Sequence, residues 1–228
     1  MKLDIERVVF IGRTFEEYCD MFQLCDEDIQ NKKILDCPAG ACSFTAVANT
    51  KGGDVTACDV VYQFDGEALY EKGLQDVIHT MEHMEKAKAN YIWNYFSSVE
   101  DLRKHRLEAL QVCGADMKHN QEKYVYATLP NLPFQDEEFD MVLSAHFLFM
   151  YGDRFDYKFH VDTITELLRV AKQEIRIFPC IDLKGERYEF LDELIENLRN
   201  KGCEVAEVQV PYEFQKNGNM MLQIKKGC

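Results

Sequence analysis

The stretch KKILDCPAGACSFTAVA (residues 32–48) decides the fold. KKILD is a short apolar run ending in an acid, which predicts a strand over 32–36. Cys37-Pro38-Ala39-Gly40 is a turn of small residues. Ser43 to Ala48 predicts a helix, stopped at Gly52-Gly53. DVTACDVVY predicts the next strand over 54–62. Strand, tight turn, helix and strand open an α/β sheet, and such sheets bind ligands outside the carboxyl ends of their strands. Small residues in the turn let a ligand approach the backbone, and the next helix offers its first N–H groups. Asp59 lies 23 residues beyond Asp36. An acid about 20 residues past such a turn suits the hydroxyls of a ribose.

Outward from this unit the pattern repeats. Thr14 and Glu17 have the spacing of a capping box, predicting a helix from 15 to about 23. Helices are expected over 66–88, 98–113, 161–171 and 186–200. Strands are expected over 123–129, 139–145, 174–181, 203–210 and 219–226. Alternation predicts a mostly parallel sheet with helices on both faces. The last two strands are separated only by Pro211 to Gly218. A parallel crossover needs about a dozen residues or more. They therefore form an antiparallel hairpin or are not neighbours.

The chain has 228 residues, 26 Lys+Arg and 40 Asp+Glu, for a formal charge of −14. The length predicts one domain. The acid excess argues against nucleic acid as the main partner, since phosphate binding is built on Lys and Arg. No apolar run reaches the length of a membrane helix. MKLDIERVVF lacks the apolar core of a secretory signal. Nine cysteines, an odd number with no CxxC pair, read as reduced and mostly buried thiols in a cytoplasmic protein.

The dinucleotide fingerprint G-x-G-x-x-G is absent. Asp36 at the strand end suits a cationic amino-acid group better than a pyrophosphate. Here the sequence resembles the class I S-adenosylmethionine (SAM)-dependent methyltransferases. Asp36-Cys37-Pro38-Ala39-Gly40-Ala41-Cys42 stands where that family has D-x-G-x-G-x-G, with Pro38 and Cys42 in place of two glycines. Asp59 matches the ribose acid, and LPNLPFQDEEFDMVLSAHFLF (129–149) the region around the fourth strand. The likeness covers about 31–228. GRTFEEY, LDCPAG and EFQKNGN also resemble a bacterial subgroup of that family. The resemblance implies a Rossmann-like seven-stranded, mostly parallel sheet with a C-terminal antiparallel hairpin. It implies SAM as cofactor, no metal, and methyl transfer to an acceptor that the charge makes a small molecule rather than nucleic acid.

Residue by residue, it implies Asp36, Cys37, Ala39 and Gly40 around the methionine moiety, and Asp59 on the ribose. Val60 would lie against the adenine, with Thr128 and Leu129 at its edge. Ser144 and His146 would line the reaction centre, where His146 has the ordinary pKa of a proton acceptor. Arg13 and Tyr18, with the N-terminal helix at 14–23, would close over the cofactor mouth, Arg13 toward a carboxylate. Two other readings stay open: a SAM or nucleoside-binding protein without catalysis, and an NAD-dependent oxidoreductase.

Three further patterns need weighing. His79 to His83 spells H-x-x-E-H, a zinc-protease pattern. Leu74, Val77, Ile78, Met81 and Met84 form the apolar face of that helix, however, which leaves both histidines on the solvated side. Residues 89–123 look like a helical insertion, and NYIWNYF (90–96) is either a lid over the cleft or an anchor for the extra helix. HFLFMY (146–151) reads as core.

Overall fold

The computed structural model describes residues 9–227. Residues 1–8, with most of the MKLDIERVVF reading, and Cys228 lie outside the described residues. Seven strands form one sheet: β1 (Lys33–Asp36), β2 (Asp54–Asp59), β3 (Tyr124–Tyr126), β4 (Phe139–Ala145), β5 (Ala171–Phe178), β6 (Glu204–Gln209) and β7 (Met220–Lys225). Their order is β3-β2-β1-β4-β5-β7-β6. The first five are parallel. β7 is antiparallel to both β5 and β6, so the last pair is the hairpin and its second strand inserts beside β5. This is a Rossmann-like, mostly parallel sheet closed by a C-terminal antiparallel hairpin.

Helices cover both faces: α1 (Phe15–Phe22), α2 (Asp26–Ile29), α3 (Phe44–Thr50), α4 (Gly66–Ala87), α5 (Val99–His119), α6 (Tyr157–Val170) and α7 (Leu191–Asn200). The strands alternate, as a sheet buried on both faces requires. Ile34, Met141 and Leu143 join the layer under α1, α3 and α4, whereas Leu35, Val142 and Ile175 join the layer under α6 and α7.

The capping box forms as expected: Glu17 N–H donates to Thr14 Oγ1 at 3.3 Å, and Thr14 N–H to Glu17 Oε2 at 2.9 Å. Several boundaries differ from expectation, each for a local reason. β2 stops at Asp59 because that carboxylate accepts the Val61 N–H and caps a 3-10 turn over Val60–Gln63. β3 is short because the chain leaves the ladder in a turn bridging Thr128 and Asn131. α5 runs on to His119. α6 starts early, at Tyr157, because Asp156 accepts the Phe159 N–H. α7 starts late, since Asp182 Oδ1 accepts the N–H groups of Lys184 and Glu186 and closes a loop there.

His79 and His83 are exposed, and no group of metal-ligating side chains occurs among the described residues. Ile78, expected on the apolar face of α4, is 52% exposed. Eight cysteines among the described residues are free; Cys37, Cys42, Cys58, Cys113 and Cys180 are buried. No helix of the described residues is long and apolar enough to cross a membrane.

The aromatics of 90–96 do not form a lid. Tyr91 stacks on Phe214 at 4.7 Å, and Trp93 and Phe96 meet the same ring edge-on at 5.3 and 5.1 Å. They pin the start of α5 to the β6–β7 connection, away from the cleft. The anchor reading is the correct one.

Candidate functional site

The order of strands reverses at β1 and β4: the chain leaves β1 toward β2 and leaves β4 toward β5. The connections diverge there and leave a crevice at the carboxyl ends, the place where open α/β sheets bind ligands. A cleft of about 600 Å³ opens at this point. Its floor is the β1–α3 turn, one side is the segment before α1, and the other is the chain from His146 into α6.

The turn is built for close approach. Gly40 has φ +56°, a left-handed conformation that glycine adopts without strain. Its N–H donates to Asp59 Oδ2 at 2.9 Å, and its carbonyl accepts the Tyr62 hydroxyl at 2.7 Å. Asp59 also accepts the Val61 N–H on Oδ1 at 3.1 Å. Burial raises the Asp59 pKa, and the backbone donors of Val61, Gly40 and Val60 oppose that rise. One backbone bond per oxygen leaves acceptor capacity on both.

The N-terminal segment lies directly on this turn. A Cβ on Gly12 would fall 1.9 Å from the Ala41 carbonyl oxygen, so only glycine permits the approach. Cys42 receives the Arg13 N–H on Sγ at 3.2 Å. The Ser43 N–H donates to the Arg13 carbonyl at 3.0 Å. Burial, then Asp36, push the Cys42 thiol up to about 12, so it stays protonated.

α1 is fixed from behind by a buried ion pair. Arg106 of α5 grips Glu17 in a fork, Nη1 to Oε2 at 2.6 Å and Nη2 to Oε1 at 2.9 Å. The Tyr212 hydroxyl adds a bond to Oε1 at 2.9 Å. Burial alone would raise the Glu17 pKa, but Arg106 and the surrounding donors outweigh it and hold the carboxyl below its ordinary value.

Of the expected site residues, Arg13, Tyr18, Cys37, Ala39, Gly40, Asp59, Val60, Thr128, Leu129 and His146 all line the cleft. Asp36 and Ser144 do not. Both are fully buried beneath the floor, and Asp36 Oδ1 accepts the Tyr18 hydroxyl at 3.1 Å. Burial pushes the Asp36 pKa well above its ordinary value. His146 is corrected in its chemistry. Burial, with the Arg13 and Arg106 guanidinium groups nearby, holds its pKa well below the ordinary value. It is a neutral imidazole rather than a titrating base near pH 6.5.

Unsatisfied polar groups gather here. Arg13 Nε, Asp36 Oδ2, Ser144 Oγ and His146 Nδ1 are each buried without a hydrogen-bond partner among the described residues. Such groups are rare in folded interiors, and each calls for an explanation.

Sequence reasoning missed the opposite wall. Phe147, Tyr151, Phe155 and Phe159 line the cleft, together with Arg154. The reading of HFLFMY as core holds for Leu148, Phe149 and Met150 but fails for Phe147 and Tyr151. The available signal was an aromatic residue at every fourth position from 147 to 159.

No protein-family model matches the chain. An uncharacterized protein of Methanocaldococcus jannaschii is 38% identical over 226 residues, covering 98% of this chain and 99% of that one. The two chains belong to one family. Among solved structures, magnesium protoporphyrin IX methyltransferase of Synechocystis PCC 6803 with bound SAM is similar at TM-score 0.49. It shares 11% identity over 89% of this chain and 73% of that one. A SAM-dependent methyltransferase of Aquifex aeolicus is similar at TM-score 0.45, with 15% identity over 98% of both chains. The fold of the present chain is fixed by its own strand order and orientation, not by those likenesses.

Proposed function

We propose that this family binds SAM in the cleft and transfers its methyl group to a small-molecule acceptor. The observation that carries the reading is Asp59. Its carboxylate stands at the end of β2, beside the switch point, fastened by backbone N–H groups yet with capacity to accept two ribose hydroxyls. The residues present fit the rest of the molecule. Val60 offers an apolar surface for the adenine, with Thr128 and Leu129 at its edge. Cys37, Ala39 and Gly40 allow close approach at the amino-acid end. Arg13 brings a guanidinium suited to a carboxylate, its buried Nε without a partner among the described residues.

When bound, SAM supplies an electrophilic methyl group on a sulfonium, so the protein's task is alignment and exclusion of water. The Glu17–Arg106 pair holds α1, and with it Arg13 and Tyr18, in one place. Tyr18 and Asp36 support the turn from below. His146 stays uncharged at the cleft surface and adds no positive charge beside a cationic cofactor.

Calorimetry with SAM, S-adenosylhomocysteine and NAD tests the reading. Micromolar binding of the first two, lost by at least tenfold in Asp59→Ala, is expected from removal of charge-assisted hydrogen bonds. Binding of NAD alone would favour the oxidoreductase. No binding of either sulfur compound, or an Asp59→Ala protein that binds like wild type, would remove the proposal. Tight binding without turnover on any acceptor would leave a cofactor-binding protein without catalysis.

A further inference from the structure

The second wall of the cleft has a composition that the cofactor does not require. Phe147, Tyr151, Phe155 and Phe159 line it, and all four are only half-buried. Phe155 and Phe159 stack at 4.3 Å and 17°, and Phe147 lies 5.4 Å from Phe155. Phe155 and Phe159 cover one face of each other, and the uncovered remainder of these half-buried rings gives the cleft mouth an aromatic surface for a flat partner.

The charge at this wall runs against that of the whole molecule. The chain carries −14 overall. Yet among the described residues the charged ones lining the cleft are Arg13, Asp59 and Arg154. Asp59 already holds two backbone N–H groups. Among the described residues, neither arginine's side chain has a hydrogen-bond or ion-pair partner. The Arg154 guanidinium lies over the Tyr151 ring at 4.9 Å, which orients it along the wall and leaves its donors free. The acids nearest in sequence do not neutralise it: Asp156 is spent on capping α6, and Asp153 is exposed outside the cleft.

We infer that the acceptor is a planar aromatic molecule carrying an anionic group, its ring on the wall of Phe147, Tyr151, Phe155 and Phe159 and its anion on Arg154. This rests on the reading of the cleft as a methyl-transfer site, and it specifies the acceptor class. A cationic amine would meet the rings but be repelled by two arginines. A flexible aliphatic acid would satisfy Arg154 but leave the rings uncovered.

The test is a set of titrations on the full chain, with and without saturating S-adenosylhomocysteine. The probes are 2-naphthoate, 2-naphthamide, cyclohexanecarboxylate and 2-naphthylmethylammonium. Naphthoate is expected to bind roughly tenfold tighter than the amide, as one charge-assisted contact implies. It should also bind severalfold tighter than the aliphatic acid, as ring stacking implies. Arg154→Gln should abolish the first preference and keep the second, and Phe155→Leu the reverse. Both variants change exposed or half-exposed side chains, so unchanged thermal midpoints and unchanged S-adenosylhomocysteine affinity certify the fold. Equal binding of all four probes, preference for the ammonium, or no binding to the S-adenosylhomocysteine complex overturns the inference. If S-adenosylhomocysteine itself fails to bind while the naphthoate preference and its loss in Arg154→Gln remain, the cofactor reading falls and the aromatic-anion site stands.

Discussion

On one side of the cleft, the segment before α1 is tied to the β1–α3 turn by Gly12, by the Cys42 thiol and by the Ser43 N–H. Behind it, the buried Glu17 carboxylate accepts four hydrogen bonds from Arg106, Tyr212 and Thr14. On the other side, the chain from 147 to 159 presents half-buried rings and an arginine with free donors. The first wall is over-determined and suits a ligand of fixed shape. The second is held by ring contacts and leaves its chemistry open to the cleft. On the proposed function, the difference separates two jobs within one pocket: holding a common cofactor and selecting an acceptor.

Arg106→Met should do the most damage to the first wall. It strands Glu17 without its cation, and breaking a buried pair costs about 3–5 kcal/mol. Urea denaturation would read the loss, and Glu17→Gln in the same chain should recover part of it. The Glu17 pKa is depressed in the folded state, so the pair's contribution is full above the ordinary carboxylate range. It fades as pH falls through the folded value, and the gap between wild type and variant should narrow in acid.

Next comes Gly12→Ala. A Cβ at 1.9 Å from a backbone oxygen forces the segment off the turn, at a cost of roughly 1–3 kcal/mol by comparison with overpacked cores. S-adenosylhomocysteine affinity should fall with it, because Arg13 moves too; unchanged affinity would mean that this wall is not the cofactor's.

A smaller effect of opposite sign is expected at Asp36. Its folded pKa is raised, so its contribution is fully present below the unfolded value of about 3.9 and is lost as pH rises through the folded value. The isosteric Asp36→Asn should therefore raise the thermal midpoint at pH 8. The gain should vanish toward pH 4, and a gain independent of pH would contradict the burial argument.

The smallest effect on stability belongs to the second wall. Phe155→Ala removes a half-exposed ring and should cost about 1 kcal/mol or less, the worth of one aromatic pair. A cost rivalling that of Arg106→Met would erase the contrast between the walls.

The two walls also differ in how far the sequence revealed them. Asp36 and Asp59 end neighbouring strands and Gly40 sits in the turn between β1 and α3, so their places in the fold followed from strand and turn signals, although Asp36 lies beneath the cleft rather than in it. The short span between the last strands ruled out a parallel crossover and left the hairpin as one of two outcomes. What escaped depends on distant residues. Arg13 and Arg106, which with burial depress His146, come from two other elements. The partners that make Trp93 and Phe96 anchors rather than a lid lie near Phe214. Phe147 and Phe149 sit two residues apart in one aromatic run, yet one lines the cleft and the other fills the core. Composition alone does not separate those fates.

The most direct test of the account is a crystal structure grown with S-adenosylhomocysteine. The account predicts ribose hydroxyls on the Asp59 carboxylate, the adenine between Val60 and Thr128–Leu129, and the amino-acid carboxylate on Arg13. The sulfur should then face His146 and the aromatic wall. A ligand bound elsewhere, or in this cleft without contact to Asp59, would contradict it.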